Sequence, residues 1–328
     1  MASIKVIQPG LATYVEDKGR YGYYHLGIPP GGALDQLSFC AGNLLLGNDE
    51  NAAALEVSLM GPVLHFPEGG FVAITGAEMT PIVNGEKKPT HTAIELPKNA
   101  ELKFDFLRNG ARAYICVKGG IDVPVVMGSR STYPLGGIGG YKGRKLEAGD
   151  ELPIGASNNS QVQVGKTLDD TFKLHIKDIE TLRVIMGLQD YKLTEETLHN
   201  LFEDVFTISS SADRTGYRFK DGRKFQYKNL PQPFGAGSDP SNIPDACYPV
   251  GSMQAPGGNE PIVLLRDAPS GGGFAMYCTV ISCDLDRMGQ LPPNHKVKFK
   301  KVDMEEALKA RAEYKQKFAQ LRESLLAV

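Results

Sequence analysis

At 328 residues the chain is about twice the usual single-domain length, so two domains are expected. Apolar residues make up 41%, enough for ordinary cores, and 36 Lys and Arg against 38 Asp and Glu leave no basic field for nucleic acid or an anionic membrane. No apolar run approaches the ~20 residues of a membrane span, and the opening MASIKVIQPG lacks the layout of a signal peptide, so a cytoplasmic protein is expected.

Short β-prone runs lie between the 37 glycines and 21 prolines. The first, 4–7, is ended by Pro9-Gly10. A helix is expected over 35–46: Asp35 can cap it, apolar residues recur at Leu37, Cys40, Ala41, Leu44 and Leu45, and Gly47 closes it. Strands follow at 71–75, 102–106 and 113–117. Residues 156–181 pass from small and polar to charge-rich and mark a boundary. Beyond it come a strand at 182–185, a helix near 194–206, and strands at 262–265 and 279–281. Thr194 opens that helix, with Thr197 where a capping box has an acid. The tail, 303–326, is the clearest helix. Asp303 can cap it, and Ala307, Ala310, Tyr314, Phe318, Leu321 and Leu325 form one apolar stripe. Such a stripe either packs on its own domain or docks a partner. The pattern predicts a mainly β, barrel- or sandwich-like protein with few helices, divided into 1–165, 166–302 and a C-terminal helix at 303–328.

The cysteines, Cys40, Cys116, Cys247, Cys278 and Cys283, form no CxxC pair, and most have apolar or small neighbours. Buried reduced thiols are expected rather than a disulfide or metal role. The scattered histidines form no HxH or HxxxH pair, so no metal site is expected. The glycine-rich stretch 136–145 contains no Gly-Lys-Ser/Thr and precedes no long helix, which removes a phosphate loop. Gly165-Lys166-Thr167 has Ser160 where that pattern needs its first glycine. There is no GxSxG elbow. There is also no Ala-Met-Lys-Met biotin-attachment signature, so the chain is not expected to carry its own biotin.

Four polar, glycine-rich blocks remain. In EDKGRYGYYHLGIPPGGALD (16–35), Asp17, Arg20, His25 and Asp35 stand between glycines that let backbone approach a ligand. Asp17 and Arg20 either serve a site or pair to fix a turn. GSRSTYPLGGIGGYKGR (128–144) combines hydroxyls, guanidinium and backbone N–H groups, which suits an anionic or amide ligand. SADRTGYRF (211–219) is the third. The fourth runs from SDPSNIPDACYPVGSMQAPGG (238–258) through LLRDAPSGGGF (264–274) to MGQLPP (288–293).

These blocks, in this order, resemble the allophanate hydrolase subunit 2 (KipA) family over about residues 9–299. EDKGRYGYYHLGIP, ALDQLSFCAGNLLLGN, ALEVSLMGP, ITGAEM, GGIDVPVVMGSRST, GGYKGR and DRTGYR carry the match. The resemblance implies two cyclophilin-like β-barrel domains and a stable pairing with a subunit 1 (KipI-like) protein. It offers three functional settings. In the first, a carboxyl group passes from biotin, carried on a separate protein, to an amide nitrogen of urea or a related amide, alongside a biotin carboxylase and biotin carrier. In the second, the chain is the C subunit of an ATP-dependent 5-oxoprolinase with a LamB/YcsF-like subunit. In the third, it is a regulatory antagonist of a kinase inhibitor. ATP is used by such a complex, not bound by this chain. PSNIPDACYPVG followed by APSGGGF looks like the urea-carboxylase form, although Pro244 and Ala246 depart from it and Met253-Gln254-Ala255-Pro256 is closer to the KipA form.

An amide nitrogen is a poor nucleophile, so carboxylation needs oxyanion donors over the cofactor's ureido carbonyl and groups that hold the amide within ~3–3.5 Å of the carbon. Under this resemblance Arg130, with Ser129, Ser131 and the backbone of Gly137 and Gly139, is a candidate for the first task. Asn242 and Asp245 suit the second, since an Asn amide can meet a carbonyl and an N–H together and a carboxylate can accept another N–H. Tyr248 is placed as a pocket wall, and Asp17, Arg20 and His25 as further substrate-binding residues. Alternatively, Asn242 and Asp245 pin a loop through Asx turns, and Arg130 braces its own loop, with Asp150 as a partner.

Overall fold

A computed structural model describes residues 2–157 and 160–326. The chain is mostly β with four α-helices among the described residues: α1 (Gln36–Leu45), α2 (Glu195–Glu203), α3 (Leu285–Gly289) and α4 (Met304–Leu326). It divides into two compact units. The first comprises the chain up to Arg20, Gly31–Ile176 and Lys315 onward; the second comprises Tyr21–Pro30 and Lys177–Tyr314.

The first unit layers two antiparallel sheets, one of six strands and one of five, over a shared core. Strand Arg112–Val117 shows how sequence sets the layering. Side chains alternate across a strand, so Ala113, Ile115 and Val117 enter the core between the sheets. Tyr114 and Cys116 face the other way, into a second core under α1. A strand buried on both faces reads as a continuous apolar run. The buried carboxylate of Glu56 accepts from Leu34 N and from Tyr114 Oη (2.9 and 2.8 Å), which fixes the chain's entry into α1. Asp35 caps α1 as expected, accepting from Ser38 N at 3.0 Å, and Gly47 takes a left-handed φ of 61° just past its end.

The second unit closes into a seven-stranded barrel. The closing seam is parallel, between Ile179–Met186 and Lys296–Lys301. Phe206, Phe219 and Phe299 fill its interior edge to face, with ring centroids 5.2–6.4 Å apart. Thr194 caps α2 by accepting from Thr197 N at 3.2 Å. In place of the acid of a capping box, Thr197 turns its hydroxyl to the backbone of Gln226, accepting from its N–H at 2.9 Å. A two-stranded ribbon, Asn242–Cys247 with Gly271–Phe274, forms a separate small sheet.

Asp303 caps α4, accepting from Glu306 N at 2.7 Å. The α4 stripe packs on its own chain: Ala307 and Ala310 lie against Ile281 and Val302, and Phe318, Leu321 and Leu325 against the α1 core. The alternative of a partner-docking stripe is therefore overturned, because the apolar face is already covered. No helix among the described residues is long and apolar enough to cross a membrane.

The far end of α4 is tied down by Arg322, whose Nε and Nη2 donate to Glu50 at 2.8 and 3.1 Å. This guanidinium first, and Lys18 as well, lowers the Glu50 pKa to about 2. A carboxylate depressed in the folded state stabilises fully above its unfolded pKa, and the contribution is lost as pH falls through the folded value. Arg322→Ala is thus expected to lower the melting temperature modestly at neutral pH, by an amount equivalent to below about 1 kcal/mol for so exposed a pair. The difference from wild type should vanish as the pH approaches 2, which thermal melts across an acid series would measure.

Candidate functional site

The residues singled out in the sequence fall into two groups, one in each unit. In the first unit the centre is Asp17, at the end of strand Ala12–Glu16 and only 3% exposed. Its carboxylate accepts from Ser129 Oγ (2.7 Å), Ser131 Oγ (2.5 Å), the Arg130 N–H (2.6 Å) and the Gly19 N–H (2.8 Å). Arg20, also buried, donates from Nε to the Val126 carbonyl (3.0 Å) and from Nη2 to the Ser131 carbonyl (2.9 Å). Asp17 and Arg20 therefore bind the 126–131 loop from two sides. The serine hydroxyls turn inward to Asp17, which is how a buried carboxylate is satisfied. Gly139 lies against the same loop with φ +67°, and a β-carbon there would meet the Ser131 carbonyl oxygen. Only glycine combines that conformation with that approach. Gly137 ends a short 3-10 turn with open space around it.

Arg130 itself reaches outward. Nε donates to the Val123 carbonyl (2.9 Å) and Nη2 to Asp122 Oδ1 (3.0 Å). Its partner is thus Asp122, not Asp150. Asp150 is held by both terminal nitrogens of Arg144 at 2.8 Å, which lowers its pKa below the usual carboxylate value. Arg130 lines a cavity of about 490 Å³ whose wall includes Gly119, Gly120 and Gly155 with Asp49 and Asp122.

In the second unit the ribbon carries Asn242, Asp245 and Tyr248. Asn242 opens the ribbon strand, half-buried and paired with Phe274. Its backbone is fully engaged: its N–H donates to Asp239 O (3.0 Å) and its carbonyl accepts from Lys192 Nζ (2.6 Å). The side-chain amide makes no hydrogen bond among the described residues. Asp245 is exposed on the same strand. Tyr248 is buried beneath the ribbon, and its hydroxyl donates to Phe274 O and accepts from Phe274 N, both at 2.7 Å. It clamps the partner strand, and burial raises its pKa. His25 is exposed on the 3-10 turn Tyr24–Leu26 and joins neither hydrogen-bonded group.

Sequence reasoning missed Lys192. It sits in the short turn Asp190–Lys192, 4% exposed, with Nζ donating to Gln232 Oε1 (3.3 Å), Pro240 O (2.9 Å) and Asn242 O (2.6 Å). Burial lowers its pKa. No motif surrounds it, so nothing in the sequence distinguished it from a surface lysine. The five cysteines are free thiols: Cys40, Cys116 and Cys278 are buried as expected, whereas Cys283 is half-buried and Cys247 exposed. No group of three His, Cys, Asp or Glu among the described residues is arranged to hold a metal ion.

Comparison with known proteins adds to this geometry. The family described as carboxyltransferase domain, subdomain A and B, matches residues 26–301. The urea amidolyase of Saccharomyces cerevisiae is 32% identical over 306 residues, covering 90% of this chain and 16% of the yeast protein. The C subunit of Escherichia coli 5-oxoprolinase is 32% identical over 321 residues, covering 97% of each. The crystal structure of Kluyveromyces lactis urea carboxylase matches with a TM-score of 0.86 and 30% identity, over 97% of this chain and 29% of that one. The chain therefore spans only a fraction of the urea-processing relatives and nearly all of the oxoprolinase one.

Proposed function

The chain belongs to the carboxyltransferase domain, subdomain A and B, family, and from this we propose that it is the carboxyltransferase-type subunit of a biotin-dependent enzyme that carboxylates the nitrogen of urea or a related amide together with a KipI-like subunit 1 protein. The observation that carries the amide part of this reading is Asn242. Its backbone is fixed on both sides while its side-chain amide is left without a hydrogen bond among the described residues. A planar donor–acceptor pair on a fixed backbone matches the carbonyl and N–H of an amide, and Asp245, exposed three residues on across an irregularity in the ribbon's register, is the candidate acceptor for a further N–H. Tyr248 and Lys192 hold the ribbon without needing to touch substrate.

Biotin, when bound on its carrier protein, supplies an activated carboxyl group. The first unit suits its ureido ring in donor chemistry. Arg130 lines a glycine-walled cavity, and its Nη1 makes no hydrogen bond among the described residues. Asp17, Ser129, Ser131 and Arg20 act on this site by fixing the loop that presents Arg130.

Arg130→Lys separates binding from bracing. Because the Arg130–Asp122 pair is well exposed, the substitution should change stability by about 1 kcal/mol or less. A lysine offers one ammonium where the guanidinium offers a planar fork, so kcat/KM of the reconstituted enzyme should fall at least about tenfold. Near-wild-type kinetics would remove Arg130 from the site.

The second reading is supported by length. Correspondence over 97% of both chains with the C subunit of 5-oxoprolinase favours a lactam, itself a cyclic amide, as the group held by Asn242. ATP-dependent turnover on urea, related amides and 5-oxoproline by the co-purified assembly discriminates the two.

A further inference from the structure

Within the second unit, the backbone carbonyl of Asn242 is held by a residue that no site motif contains. We infer that Lys192 is a positioning residue, whose ammonium pins both ends of the segment 232–242 and so fixes the direction in which Asn242 presents its side chain. The role of Asn242 toward an amide substrate rests on the reading above; the pinning does not.

Three observations carry the inference. First, the three Nζ bonds reach Gln232 at one end of the segment and Pro240 and Asn242 at the other. An ammonium has three donors and no acceptor, so this geometry satisfies it completely. The last bond, at 2.6 Å, falls on the carbonyl of Asn242 itself. Second, no carboxylate lies within ion-pair distance of Nζ among the described residues, although Lys192 is only 4% exposed. A buried charge is costly unless its donors are met, and these three bonds meet them by tethering two stretches of backbone, which an apolar side chain of similar length would not do. Third, most of what lies between the pinned ends is exposed, Ala236 and Ser241 excepted. Phe234 is fully exposed, and the nearest atom to a β-carbon built on Gly237 is Nδ2 of Asn242, at 3.9 Å. Inside the loop, Asp239 ties down Ser241 through its N–H and hydroxyl (2.8 and 2.7 Å), next to Asn242. Without the Nζ bonds, one end of the ribbon strand would lose its attachment to the turn Asp190–Lys192.

The experiment is hydrogen–deuterium exchange on the full chain carrying Lys192→Met, paired with kinetics of the complex reconstituted with its subunit 1 partner. Exchange at the amides of Ser241 and Asn242 should accelerate at least about tenfold while the barrel strands keep wild-type protection. A misplacement of about 1 Å at a reacting group costs as much as a hundredfold in rate. kcat/KM should therefore fall by about ten- to a hundredfold with little change in melting temperature. Lys192→Arg, which keeps a charge and several donors, should recover part of both effects. Should Lys192→Met fail to fold, Gln232→Leu removes one of the three contacts and should raise exchange across 232–238. Unchanged exchange at Ser241 and Asn242 in Lys192→Met overturns the inference, whatever the reaction. Accelerated exchange alongside a wild-type complex that turns over neither amide nor lactam upholds the pinning and rejects the proposed function instead.

Discussion

Asp17→Ala is expected to destabilise the first unit by about 3–5 kcal/mol, the largest stability effect among the proposed substitutions. The carboxylate is buried and receives four hydrogen bonds, two from serine hydroxyls and two from backbone N–H groups. Alanine leaves those donors facing a cavity from which they cannot all reach water. Each unmet buried donor costs about 1–3 kcal/mol, and the costs do not add fully because the loop relaxes. Asp17→Asn keeps the shape and one acceptor oxygen, so it should fall between alanine and wild type. Denaturant unfolding of the three proteins measures the order. Equal stability of Asp17→Ala and wild type would mean that packing, not the carboxylate, holds the 129–131 loop. The same loop presents Arg130, so activity should fall with stability here.

Asn242→Ala is expected to behave in the opposite manner. Its side chain makes no hydrogen bond among the described residues and is half-buried, so stability should change by less than about 1 kcal/mol. If the amide aligns the substrate, turnover of the reconstituted enzyme should fall by about 10²–10³, the usual effect of removing one positioned transition-state hydrogen bond. Thermal melts and steady-state kinetics on the same preparation separate the two quantities. Normal turnover would refute a substrate role; parallel losses of melting temperature and activity would make Asn242 a loop-pinning residue.

What was legible in the sequence was local. Asp35, Thr194 and Asp303 each accept from the N–H three residues on, because a helix end is set by side chains adjacent in sequence. The short strands were legible as β-prone runs between turn residues. The barrel's closing seam was not. Ile179–Met186 finds Lys296–Lys301 through pairing that no local pattern encodes. The short helix α3 also escaped, since one turn carries too little periodicity to register.

The candidate site divides along the same line. Sequence alone placed Asp17, Arg20, Ser129, Arg130 and Ser131 in polar, glycine-rich blocks. It could not show that the serine hydroxyls turn in toward Asp17 while Arg130 turns out. That choice depends on a contact between positions more than a hundred residues apart, such as Ser129 with Asp17. The Asp150 alternative for Arg130 failed for a related reason: Arg144 is near enough in the chain to claim both of its oxygens. Lys192 was invisible because its function lies in which backbone carbonyls surround its ammonium, and a side chain's type does not reveal that.

Whether this chain takes part in amide carboxylation is decided by transfer of radiolabelled bicarbonate in a fully defined mixture. The chain would be co-purified with its subunit 1 partner, then mixed with biotin carboxylase, biotin carrier, ATP and a panel of urea, related amides and 5-oxoproline. Label should appear on an amide nitrogen, be abolished by avidin and be absent when either subunit is left out. Full turnover by this chain with carrier and substrate alone, or avidin-insensitive opening of 5-oxoproline with no label transferred to any amide, would contradict the assignment.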